Sequence, residues 1–460
     1  REWQLLTDMD ALPWNASSNA EMNATFISNE NGRQQLRYLV GVRLRGSTSR
    51  ITNPVNRRIN FRSDQPWRGR DAVNLNTRNT HSQILGAAIF RQSGVPTAAA
   101  RPVVVIQNNQ NLANQGARQF GHYAEVDVYD GHLAQRLFPS DAGGNLYRAQ
   151  GEGNLEYLGD DPLAYNHPSL YLKRTKAEVN DWSDLIELTK ALSNPEPASY
   201  LELLTDHADI DEWVNYFATH AIATSVETSL GTGGRADYGF YRGETDTRVR
   251  LLAYDLDSLF GIEGGLTARI DRAASREVIE RFLKEPAIAK RFHRRLLELA
   301  DTVFRPDLFD ATVDTMLGQW VTEATRNNLK QANVDRLAFV RQAIPRSVRI
   351  NADLDFFQPD WLRYYQANQN PIALSGVTDV TRTVTLTVNG QNVPFDPLTG
   401  VWTTMTTVPP SGITALSAVA RDANREVIDV DTLRVYRQPA QVTSPPAMAP
   451  GQNLVWGPSM

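Results

Sequence analysis

The chain has 460 residues, 41% of them hydrophobic and 22% charged, with a formal net charge of -5 and no cysteine. That length exceeds what one hydrophobic core usually serves, so two or three domains are expected. The acidic balance argues against nucleic acid as an obligate partner, and the lack of cysteine excludes disulfides, thiolate metal sites and cysteine nucleophiles. No apolar run approaches the length needed to span a bilayer. The opening REWQLLTDMD lacks the basic-then-apolar layout of a signal peptide, and a start at Arg1 reads as a removed leader or as a fragment.

Residues 21–62 read as β structure. Strand-like runs over 21–27 and 36–44 flank Asn31-Gly32, a strong hairpin signal. The second run continues as VGVRLRGSTSR (40–50), where Arg43 and Arg45 alternate with Val42 and Leu44 and so share one face. This is either an edge strand with a solvated face or, with the small-residue turn after Gly46, a surface that meets an anion. A basic strand, RRINFR (57–62), follows. The spacing predicts a helix over 81–93 stopped by Gly94, a strand over 101–107, and an Asn/Gln-rich loop over 108–119. A strand containing Glu125 and Asp127 runs into a helix near Asp130; short strands are expected near 144–148, 154–159 and 171–176.

Amphipathic helices are expected over 182–193 and 210–226, the second with Asp209 in its N-cap region. A glycine-rich loop then leads to a predicted hairpin of 238–242 with 248–254. That hairpin delivers Asp255 and Asp257, one residue apart, to a strand's end before Phe260 and Gly261. Two carboxylates emerging together suit Mg²⁺, which completes its shell with water and substrate phosphates. The bland alternative is one aspartate capping a turn and the other solvated. Glu227 and Asp237 lie in or beside the preceding loop, which brings four carboxylates into one neighbourhood. Residues 276–350 read as helical, with His293 on a basic, solvated face. After Pro359 the strand alternation of 366–438, with Asn389-Gly390 as a turn and Trp402 as core aromatic, reads as a small β-sandwich.

Five segments, in order, resemble the spore-coat protein H (CotH) kinase family: VGVRLRGSTSR (40–50), AEVDVY (124–129), GNLYR (144–148), YLKRTK (171–176) and YDLDSLFG (254–261). The resemblance runs from about Asn31 to Gly261 and loosely on to 352. It implies an α+β, atypical protein-kinase-like domain, here followed by the all-β, Ig-like sandwich. The divisions are 1–20 as an N-terminal extension, 21–352 as the kinase-like domain, 366–438 as the sandwich and 439–460 as a Pro/Gly-rich tail. It further implies binding of ATP and Mg²⁺, phosphate transfer to protein Ser/Thr, and a secreted or surface-displayed setting with a protein substrate or a coat or surface-layer partner.

By the same resemblance Asp255 is the metal-binding catalytic aspartate, and Asp257 a second ligand or an orienting group. Glu227 stands where the family has its catalytic aspartate, and Asp237, a further candidate metal ligand, where it has asparagine. Pro54-Val55-Asn56 replaces the segment that usually carries a lysine, so Arg43, Arg45, Arg58 and Lys173 are the candidates to face the nucleotide's phosphates. The alternative is a non-catalytic surface or scaffold protein that keeps the fold. A nucleotide-sugar transferase fits poorly, because no βα alternation precedes the aspartate pair.

Overall fold

The computed structural model describes residues 2–6, 18–46, 48–194, 196–226, 230, 236–357 and 364–438. The chain divides into two units, Arg1–Ile344 and Pro345–Met460.

The first unit opens with strands β1 (Glu2–Leu6), β2 (Met22–Glu30), β3 (Arg33–Leu44), β4 (Arg57–Asn60) and β5 (Ala72–Asn76). Helix α1 (Thr80–Gln92) and strands β6 (Ala100–Gln107), β7 (Gln110–Asn111) and β8 (Tyr123–Asp127) complete this part. The eight strands form one sheet in the order β1-β2-β3-β4-β5-β8-β6-β7, and β1 also pairs parallel to β6. The sheet therefore closes on itself. Residues 2–6 are part of this ring, which corrects the expectation that everything before residue 21 is an extension. The β2–β3 hairpin turns at Asn31 and Gly32, both at positive φ as a two-residue turn requires. Phe26 packs edge to face on both Phe61 and Trp67 in this sheet's core, which also holds Val42 and Ile59.

Because side chains alternate along a strand, burying Val42 and Leu44 turns Arg43 to the opposite face, and Arg45, just past the strand's end, lines the same cleft. Ile59 does the same for Arg58. Arg57 is buried and donates to the Tyr123 hydroxyl at 2.8 Å. Glu125 and Asp127 also point away from that face. They bind Arg70 at 2.8 and 2.7 Å, with Arg101 and Arg136 as further partners.

Helix α2 (Gly131–Leu137) is capped by Asp130. A second, four-stranded sheet follows, built from β9 (Asn145–Gly151), β10 (Tyr171–Lys173), β11 (Ala236–Arg242) and β12 (Arg250–Ala253) in the order β10-β9-β11-β12. Helices α3 (Pro162–Tyr165), α4 (Ser183–Leu192), α5 (Pro197–His207) and α6 (Ile210–Ile222) lie between β9 and β11 in sequence. The expected strand at 154–159 does not form. The Tyr171 and Tyr165 hydroxyls accept from the Leu155 and Leu158 N–H groups, both at 2.8 Å, in place of a neighbouring strand.

Helices α7 (Glu277–Lys284), α8 (Pro286–Asp301), α9 (Pro306–Leu317) and α10 (Glu323–Ala343) end the unit. His293 on α8 is fully buried, not solvated, because its ring nitrogen Nδ1 meets the Ala289 carbonyl at 2.7 Å inside the helical layer.

The second unit is all-β: a three-stranded sheet over Arg349–Ala352, Ile372–Val377 and Val401–Thr406, and a six-stranded sheet from Asp355–Phe357 to Val427–Arg437. Both sheets contribute to one core around the fully buried Trp402. This unit begins at Pro345, before the expected 366. The composition change after Pro359 misses its first strand, Arg349–Ala352, which pairs with Ile372–Val377. The tail from 439 lies outside the described residues.

Candidate active site

The Asp255–Asp257 loop is fixed by three separate elements. Helix α1 is buried from Thr80 to Phe90, as suits a helix enclosed on all sides. Its Ser82 hydroxyl donates to the Leu256 carbonyl at 2.9 Å and accepts from the Leu259 N–H at 3.1 Å. Gly86, one turn later, lets the loop lie directly on the helix, since a Cβ there would stand 2.5 Å from Leu259 Cδ1. The helix ends as expected at Gly94, where the Gly94 and Val95 N–H groups close back on Arg91 and Phe90. The chain just beyond holds Ala253: its N–H donates to Pro96 O at 3.0 Å, and its carbonyl accepts from the Thr97 hydroxyl.

Helix α6 is the third support. Asp209 caps it by accepting from the Glu212 N–H, and the Asp209 N–H donates to Val249 O. At its other end Ala223 O accepts from the Phe260 N–H and the Thr224 hydroxyl from the Gly261 N–H, both at 2.8 Å. A helix of this length spans about 20 Å, so α6 braces the loop segment at both ends. Between these anchors Asp255 takes φ 52°, a conformation aspartate tolerates better than most residues. The strand ends at Ala253, and the two aspartates reach one cleft through a kinked turn, not an extended strand.

That cleft has a volume of about 1290 Å³. Arg43, Arg45 and Arg58 enter it from the first sheet, and Arg148, Arg174 and Asp237 from the second sheet and its flank. Tyr254, Asp255 and Asp257 come from the loop, and Val128 and Tyr129 from the linker after β8. Asp257 is buried and Asp255 half-buried. Arg148 stacks over the Tyr254 ring at 4.2 Å and pairs with Asp237 at 3.3 Å. Tyr129 donates to the Ala253 carbonyl and packs edge to face on Tyr254 at 4.8 Å.

Positive charge is crowded here. Burial, then the fields of Arg43 and Arg174, draw the Arg58 guanidinium down to about 10. Burial and Arg148 likewise lower Arg174, and burial lowers Arg43 despite Glu21. A site that holds several guanidiniums at this cost is arranged for an anion.

The structure brings together Arg43, Arg45, Arg58, Asp237, Asp255 and Asp257. It does not bring Lys173 to them: its ammonium donates to the Val179 and Asp181 carbonyls at 3.4 and 2.7 Å. Lys173 shares a face with the buried Tyr171, whereas Leu172 and Arg174 line the cleft. Period-two reading of YLKRTK would have selected Arg174. Arg148, in GNLYR, was missed because nothing local tells which face of β9 carries it. Glu227 lies outside the described residues.

The profile of the family described as CotH kinase protein matches residues 42–353, more than half of the chain. The chain is also similar to the crystal structure of a Helicobacter pylori proinflammatory kinase, CtkA, at 9% identity and a TM-score of 0.31, covering 71% of this chain and 92% of that one. Comparison with curated proteins finds no match. With its five motifs arranged around one cleft and the family profile matching more than half of its length, the chain belongs to the CotH kinase family.

Proposed function

We propose that the chain is an ATP- and Mg²⁺-dependent phosphotransferase acting on Ser/Thr hydroxyls of a protein substrate. The observation that carries this reading is one cleft holding Arg43, Arg45, Arg58 and Arg174 with Asp255 and Asp257. The donor set fits both groups. Guanidiniums bind phosphate oxygens in pairs, and two carboxylates with water are a usual Mg²⁺ complement. Asp255 and Asp257 would hold the metal, which when bound neutralises charge on the phosphates. The arginines orient the phosphates, and Arg148 keeps Asp237 and Tyr254 in place. In this proposal Glu227 accepts the proton of the acceptor hydroxyl, and Asp237 is a further carboxylate toward the metal. A secreted or surface setting follows the family resemblance, with the two-sheet unit as an Ig-like module toward a coat or surface-layer partner.

A non-catalytic scaffold is the second reading, favoured by Lys173 pointing out of the cleft. Incubation with γ-labelled ATP, Mg²⁺ and a mixed protein acceptor separates the two. Label on Ser/Thr that is lost with a chelator and in Asp255→Asn supports the phosphotransferase. Nucleotide binding without any transfer supports the scaffold.

A further inference from the structure

Among the described residues the cleft is lined by eight arginines and only three aspartates. A magnesium nucleoside triphosphate brings on the order of two negative charges, so it leaves part of this surplus uncompensated. The chain as a whole carries -5, which makes the cleft a local reversal of sign that focuses attraction on anions.

The surplus has a defined place. Arg58 and Arg174 lie deep, and Arg58 feels the charges of Arg43 and Arg45. Arg50, Arg78 and Arg118 form the outer part, on the turn after β3, the segment before α1 and the loop after β7. Arg78 is neutralised by Glu263 at 2.6 Å. Arg50 donates to the Gly46 and Ser18 carbonyls at 2.8 and 2.7 Å; these neutral partners fix it without cancelling its charge. Arg118 is exposed, and its guanidinium makes no hydrogen bond or ion pair among the described residues. Its backbone is nonetheless anchored, because the Arg118 carbonyl accepts from the Thr80 N–H at 2.9 Å and the Gln119 side chain donates to Thr77 O at 2.7 Å. An uncompensated charge on a fixed backbone at a cleft mouth is open to pairing with an anionic partner.

We propose that the rim of the cleft binds an acidic segment of the protein substrate, with Arg118 and Arg50 as the recognising cations. This rests on the phosphotransferase reading, because the acceptor must reach the cleft that holds the nucleotide.

The test uses the full chain saturated with Mg²⁺ and a non-hydrolysable ATP analogue. Fluorescence anisotropy compares serine peptides of equal length flanked by glutamate, alanine or lysine. The glutamate peptide is expected to bind at least tenfold more tightly than the alanine peptide, and the lysine peptide more weakly than either. Arg118→Glu is expected to weaken the glutamate peptide about tenfold and Arg118→Ala by less, while analogue affinity stays within twofold and the melting temperature is unchanged. The proposal is overturned if the glutamate peptide binds no better than the alanine one, if Arg118→Glu leaves it unchanged, or if the analogue displaces it. Failure of the analogue to bind contradicts the phosphotransferase reading instead, and a glutamate preference dependent on Arg118 would then stand as a property of the rim alone.

Discussion

The Arg45 guanidinium donates to the Tyr254 hydroxyl at 2.9 Å, across 209 residues of sequence. Arg45 directly follows the strand that carries Arg43, and Tyr254 immediately precedes Asp255. One hydrogen bond thus sets the basic face of the first sheet against the aspartate loop.

Removing crowded charge should separate stability from binding. Arg58 is drawn down to about 10 by burial and by Arg43, Arg174 and Arg45. Arg58→Gln relieves that repulsion, so the ligand-free protein should melt at a higher temperature while nucleotide affinity falls about tenfold or more. Thermal melts and calorimetric titration of one preparation check both halves.

The contact at Gly86 predicts a packing effect. A Cβ there would meet Leu259 Cδ1 at 2.5 Å and Leu256 Cβ at 3.0 Å, all in buried surroundings. Gly86→Val should cost about 1–3 kcal/mol through overpacking and weaken nucleotide binding by displacing the neighbouring aspartates. Denaturant unfolding measures the first effect and titration the second.

Stability should peak near neutral pH. Burial pushes the Glu212 carboxyl from 4.5 up to about 8, even though Arg250 lies 3.3 Å away. Between those values the folded state holds a proton that the unfolded chain has released, so stability falls as pH rises through that window. Burial draws His220 and His81 from 6.5 down to about 3 and about 4. Below 6.5 the unfolded chain takes up protons the folded state refuses, so stability also falls toward acid, and with two histidines against one glutamate the maximum lies near pH 6.5. Glu212→Gln should flatten the alkaline arm of a melting-temperature profile and steepen the acid arm between 4.5 and 6.5, where Glu212 no longer offsets the histidines.

Much of the site was legible in the sequence because alternation and turn chemistry are local. Asn31-Gly32 and Gly94 act where their positions suggest, and Arg43 and Arg58 take the face opposite Val42, Leu44 and Ile59, with Arg45 lining the same cleft. The motif YDLDSLFG marks the loop, but its anchoring by Ser82, Thr97 and Thr224 depends on partners more than 30 residues away, which no local pattern encodes. Lys173 follows from residue type alone, but it shares a face with the buried Tyr171, and alternation gives the cleft to Arg174 instead. His293 was read from its basic neighbours Arg291 and Arg294 and not from the burial of its own helical face.

The boundary at Pro345 also has a consequence. A fragment of residues 345–438 should unfold cooperatively by itself. One starting at 366 lacks Arg349–Ala352, which pairs with Ile372–Val377, and Asp355–Phe357, and it should lose its sharp transition. Differential scanning calorimetry of the two fragments distinguishes these outcomes.

The central claim is that Asp255 serves a metal–nucleotide site. Asparagine also accepts the positive φ of 52° found there, so Asp255→Asn should keep the fold while removing the charge. The decisive measurement is calorimetric titration of the parent chain and this variant with ATP, with and without Mg²⁺. Metal-dependent binding by the parent that is lost in an equally stable Asp255→Asn is the predicted result. Equal binding by both proteins, or none by the parent, would contradict the assignment.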